Sequence, residues 1–108
     1  MNLPTEIFGD VVVVHSPSEI GKEQAEPLHA FLTSQVHPCL VIDLDGAEAI
    51  NSAGLTAMLD SQEQLRGVGG DLKVTTANPV NRKILEITRL DQHLDVFDNV
   101  IDAVKSYA

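Results

Sequence analysis

Apolar residues along this chain fall into short β-branched runs separated by longer stretches with helical spacing. Val11 to His15 is bounded by Gly9-Asp10 and Ser16-Pro17, which predicts a strand. Glu6 to Phe8 fits a short edge strand before it. Cys39 to Leu44 is the most apolar run and predicts a central strand covered on both faces. Leu72 to Thr76 predicts a further strand, and His93 to Val96 a last short one.

Between these runs the period changes. Ala25, Leu28 and Leu32, with Phe31 beside them, place a helix over Lys22 to Ser34. Pro27 would cost about 3 kcal/mol in a helix interior and is tolerated if the helix starts late, near Glu26; the helix is kept. Asp45 to Asn51 reads as a loop. Ala53 to Arg66 reads as a helix with Leu55, Met58, Leu59 and Leu65 inward and Asp60, Ser61 and Gln64 outward. Gly67, Gly69 and Gly70 end it with left-handed backbone. Asn78-Pro79 opens a helix reaching about Thr88 that should bury Val80, Ile84 and Ile87. Phe97, Val100, Ile101 and Val104 mark a closing helix. Strand and helix alternate, so the expected class is α/β. The expectation is a single domain over residues 1–108, with a central mixed sheet of about four to five strands and about four helices packed against it.

Composition narrows the function classes. The chain of 108 residues is 44% hydrophobic and 21% charged, enough for one packed core. No apolar run reaches the roughly 18 residues of a membrane helix. The N-terminus lacks the pattern of a secretory signal. No direct membrane insertion and a cytoplasmic location are therefore expected. Asp and Glu number 16 against 7 Lys and Arg, a net charge of -9. That argues against binding nucleic acid or anionic lipid and permits a basic protein partner. Cys39 is the single cysteine, so neither an internal disulfide nor a cysteine-built zinc site is expected, and a reducing compartment fits.

No catalytic constellation emerges. His15, His29, His37 and His93 are scattered without metal-ligand spacing. The turn Arg66 to Gly70 follows a helix and precedes a strand, the reverse of a phosphate-binding loop. Asp43, Asp45 and Glu48 read as a strand end and its loop. No catalytic residue, metal or cofactor is expected. One segment stands out: Ala49-Ile50-Asn51-Ser52-Ala53-Gly54-Leu55, which puts Ser52 at or just before a helix N-terminus. Ser52 can be read as the helix cap, worth about 1 kcal/mol. It can also be read as an exposed phosphoacceptor, where phosphate would add about -1.5 to -2 charge at the positive end of the helix.

These residues resemble a known family. Asn51-Ser52-Ala53-Gly54-Leu55 resembles the Asp-Ser-(Ser/Thr/Ala)-Gly-Leu signature of STAS domains of the anti-sigma factor antagonist type. The strand Cys39 to Leu44, the turn Gly69-Gly70-Asp71-Leu72, the helix Asn78-Pro79-Val80 with Ile84-Leu85 and Leu90, and Ser18-Glu19-Ile20-Gly21 resemble the family's other segments in order and spacing. The resemblance spans about residues 6 to 107. It implies a STAS fold and a partner switch. The unphosphorylated domain would bind a serine-kinase anti-sigma factor of the histidine-kinase-like ATPase fold. Phosphorylation of Ser52 by that kinase would release it, and a PP2C-type phosphatase would reset the switch. The domain would then be a substrate and binder, not an enzyme, without a cofactor of its own. The implied partner-binding residues are Glu19, Asn51, Ser52, Ala53, Gly54, Thr56 and Asp60. Two departures stand out: Asn51 replaces the family's acidic residue, and Ser18 and Gly21 replace its Gly and Asp.

The loops Ser16 to Gly21 and Asn51 to Gly54 follow parallel strands and should open at the same end of the sheet. Thr56, Ala57, Asp60, Ser61 and Gln64 should extend that surface along the exposed helix face. The competing reading is a STAS subunit or scaffold of a transport ATPase or a larger signalling assembly, with Ser52 only a helix cap.

Overall fold

The computed structural model describes residues 1–108. Five strands form one mixed sheet: β1 (Thr5–Phe8), β2 (Val11–His15), β4 (Cys39–Asp43), β6 (Asp71–Thr75) and β7 (Val96–Phe97), in the order β1-β2-β4-β6-β7. β1 runs antiparallel to β2, and the other neighbours are parallel. Two short strands, β3 (Glu19–Ile20) and β5 (Ala49–Ile50), pair in parallel beyond the main sheet. The four helices are α1 (Lys22–Thr33), α2 (Ser52–Arg66), α3 (Pro79–Ile87) and α4 (Val100–Lys105), with a 3₁₀ turn at Leu90–Gln92. No helix is long and apolar enough to cross a membrane.

Strand alternation sorts the side chains into two layers. Val12, Val14, Leu40, Ile42, Leu72 and Val74 point to one face, where Leu28 and Leu32 of α1, Leu55, Met58 and Leu65 of α2, and Leu85 of α3 close the main core. Val11, Val13 and Val41 point to the other and are sealed by Ala103 of α4. Helices on both faces explain why β4 is apolar from Cys39 to Ile42. Lys73 is buried on the α4 side without a carboxylate partner. Its Nζ lies 4.0 Å from the Tyr107 ring centroid and donates to Ser106 Oγ at 2.7 Å, while Tyr107 Oη donates to Leu40 O at 2.6 Å. A cation over an aromatic face thus ties the C-terminal segment to the sheet.

Several expectations shift. α1 begins at Lys22, as the helix read over Lys22 to Ser34 has it, and the late start that would spare Pro27 is not taken: Pro27 lies inside, on the exposed side. β7 sits at Val96–Phe97 rather than His93 to Val96, which moves Phe97 from the closing helix into the sheet. In α4, Ala103 is buried and Ile101 exposed. α3 is rotated from the expected face: Asn81 and Leu85 are buried, while Val80 and Ile87 lie in solvent. Asn81 sets this rotation, its Nδ2 donating to Leu44 O and Ala47 O at 3.0 and 3.2 Å. Buried carbonyls after β4 need donors, and that need overrides the apolar stripe. Of the glycines after α2, Gly69 alone is left-handed (φ +85°). At Gly70 a side chain would collide with the Pro38 backbone.

At the opposite end of the α4 face, His15 joins three strands. Its Nε2 lies 2.7 Å from Glu6 Oε1 of β1, and its Nδ1 lies 3.0 Å from Asp43 Oδ2 of β4. The hydrogen bond to Glu6 raises its pKa most, partial burial opposes this, and Asp43 adds to the rise. A folded-state value above 6.5 means that this stabilisation is complete below about pH 6.5 and is lost as pH rises through the folded value.

Two outcomes check this architecture. Met58→Ala, at a fully buried site, should cost about 2–5 kcal/mol in denaturant unfolding, and half-buried Leu59→Ala less. The stability advantage of wild type over His15→Gln should be greatest in mild acid and should shrink towards alkaline pH. A difference independent of pH would remove the charged bridge.

Candidate functional site

The signature segment occupies the junction of β5 and α2. Asn51 is the N-cap: its Oδ1 accepts from Ala53 N at 3.0 Å and from Gly54 N at 3.2 Å. Ser52 is therefore the first residue within the helix and not its cap, which overturns the capping reading of that serine. A side-chain cap of this kind is worth about 0.5–2 kcal/mol, and Asn serves as well as Asp. Asn51 keeps the hydrogen bonds that an acidic residue would make and leaves out only its charge. Ser52 is exposed and its Oγ makes no hydrogen bond within the chain. The Ser52 carbonyl is used instead, accepting from Thr56 Oγ1 at 2.9 Å.

The two loops expected at one end of the sheet are hydrogen-bonded to each other. Glu19 pairs with Ala49 and Ile20 with Ile50, and Asn51 N donates to Ile20 O at 3.1 Å. This pairing brings Glu19, Asn51, Ser52 and Ala53 onto one end of the domain. The sequence showed both stretches as loops because two-residue strands carry no readable alternation. Gly54 explains how close the two come: a Cβ there would overlap both the side chain and the carbonyl of Ile20. The glycine of the signature is thus a packing requirement.

Along α2 the exposed face is narrower than expected. Thr56, Asp60 and Gln64 are exposed, whereas Ala57 and Ser61 are buried beneath α1. Ser61 Oγ donates to Ala57 O at 2.7 Å and lies 3.0 Å from His29 Nδ1. A hydroxyl has one proton, so His29 Nδ1 donates to Ser61. The other ring nitrogen lies 3.2 Å from Gln64 Oε1. Sequence spacing alone did not show that α1 covers this side of α2.

The histidines and acids do not gather into a metal site. Cys39 is half-buried under the α4 layer, not fully enclosed. Asp43 and Asp45 are structural: Asp45 Oδ1 accepts from Ala77 N at 2.7 Å and from Thr76 Oγ1 at 3.3 Å.

A five-stranded mixed sheet with a paired tab and an exposed serine opening the next helix defines a small α/β domain of recognisable type. The chain belongs to the STAS domain family, whose model matches residues 2–103. A Thermotoga neapolitana protein assigned as an anti-sigma factor antagonist is 25% identical over 107 residues, with 94% of each chain covered. The crystal structure of an anti-sigma factor antagonist from Mycobacterium paratuberculosis is 27% identical and superposes with a TM-score of 0.83, covering 97% of this chain and 92% of the other. The phosphorylated form of the Bacillus cell fate determinant SpoIIAA shares the fold at 15% identity, with a TM-score of 0.71 over 99% of this chain and 100% of that one.

Gly54→Ala separates two opposed effects. Alanine gains about 1 kcal/mol in a helix, but overlap with the Ile20 backbone should cost about 1–3 kcal/mol. A net loss of thermal stability is expected. A stability gain would show that β3 and α2 have room to part.

Proposed function

We propose that this chain is an anti-sigma factor antagonist switched by phosphorylation of Ser52. Unphosphorylated, it binds a serine-kinase anti-sigma factor of the histidine-kinase-like ATPase fold. Phosphorylated by that kinase, it lets go, and a PP2C-type phosphatase restores it. The carrying observation is the exposed Ser52 hydroxyl, free of internal hydrogen bonds because Asn51 already caps the helix. Modification there breaks no contact of the domain. The phosphate would sit at the positive N-terminal end of α2, where negative charge is favoured.

Release follows from the same geometry. Ser52 stands at the rim where β3, β5 and α2 meet, so a partner seated on this end covers it. A bulky dianion in that contact must be desolvated and accommodated, which costs more than a hydroxyl. The anti-sigma factor antagonists among its relatives support this reading. Asn51, Ala53, Thr56, Asp60 and Glu19 are the accompanying contacts; Gly54, first expected among them, is buried against Ile20 and acts through packing. The domain acts as binder and phosphoacceptor; the nucleotide belongs to the kinase.

With a matched kinase and ATP, wild type should incorporate phosphate, and Ser52→Ala should incorporate none yet keep its affinity for the kinase by calorimetry. Ser52→Asp should weaken binding in part, since one carboxylate carries less charge than phosphate. Equal incorporation into wild type and Ser52→Ala would overturn the assignment. Unchanged capture of a transport ATPase by wild type and Ser52→Asp would favour the scaffold alternative.

A further inference from the structure

A groove of about 700 Å³ runs between α1 and α2, starting at Ala53 beside Ser52. We infer that it docks a basic amphipathic helix supplied by the protein partner, an inference that rests on the partner-switch reading and deepens it. Two features select this occupant. The floor is made of small side chains, Ala25, Ala53 and Ala57, so a helix can approach closely. Packed helices lie roughly 8–10 Å apart depending on the side chains at the contact, and small ones favour the short end of that range. The rim is acidic on both sides: Glu26 on α1, Asp60 and Glu63 on α2, all exposed. None of the chain's seven Lys and Arg lines the groove. An acidic or membrane-seeking segment is disfavoured there, and a helix with cations flanking a small apolar stripe is matched in shape and charge.

His29 keeps the groove open as a surface. It spans the gap below the rim, bonding Ser61 and Gln64, and so fixes the α1–α2 spacing. The attraction lies on Glu26 of α1 and on α2 beyond its first turn, while Ser52 sits at one end. Phosphate added to an acidic surface would not repel a basic helix by charge. On this geometry, release comes from steric and desolvation effects at Ser52, and the groove supplies the association rate and its salt dependence.

The test uses the full chain, ¹⁵N-labelled, titrated with a synthetic helical peptide carrying arginines at i, i+4 and i+7 over an alanine-leucine face. Amide shifts should cluster on α1 and α2 along the groove. Glu26→Gln/Asp60→Asn/Glu63→Gln should weaken binding about tenfold. A charge-matched control, Asp10→Asn/Asp91→Asn/Asp95→Asn, should retain it. Equal weakening by both triple variants would reduce the effect to net charge and overturn the inference. Shifts on the Val80–Ile87 face of α3 would overturn it as well. No kinase or phosphate enters this titration, so its failure leaves the Ser52 assay to stand or fall separately.

Discussion

The close approach of α2 to β3, with Gly54 set against Ile20, is the constraint on which the candidate site depends. It lets Asn51 N reach Ile20 O, closes the β3–β5 pair and orients the first turn of α2 outward. A larger residue at Gly54 would lever the helix start off the tab, although the five-stranded sheet would remain. The site is thus built on a contact at the margin of the main core, to which Ile20 itself belongs. Its local stability can differ from that of the sheet beneath it.

Electrostatics then divides the molecule. The net charge of -9 is spread over the surface, while three buried or half-buried polar side chains are closely paired. His15 stands between two carboxylates, Lys73 rests on Tyr107, and Asn81 satisfies two loop carbonyls. These pairings fix the edge strand, the last helix and α3 respectively. The positive helix end at Ser52 is left uncovered, with Asn51 supplying a neutral cap where the family signature has an acid. An added anion at Ser52 therefore meets no carboxylate from the residue before it.

Most of the scaffold was legible from periodicity. Val11 to His15 matched β2, and Cys39 to Leu44 matched the central β4 to within one residue, because β-branched runs between turn residues have one favourable state. The errors share a cause. Val80 and Ile87 were placed inward by apolar spacing, but Asn81 was needed there to satisfy two carbonyls contributed from a distant loop. Ser61 and Ala57 were placed outward because nothing in α2 itself announces that α1 lies over them. At the site, Ser52 and its neighbours were found by their motif, but the division of labour between Asn51 as cap and Ser52 as free hydroxyl required the backbone.

The placement of β3 and β5 has a consequence for how the protein is made. β3 lies in the crossover from β2 to β4, and β5 in the crossover from β4 to β6. Each crossover closes a long loop before its parallel strands reward it, a slow kind of step. The tab can pair only once chain from both crossovers is present. During synthesis, a nascent chain that ends before β5 has no strand to pair with Ile20, so β3 stays unpaired until residue 50 has been added. The tab is thus a late contact relative to the β1–β2 hairpin, which needs only the first 15 residues.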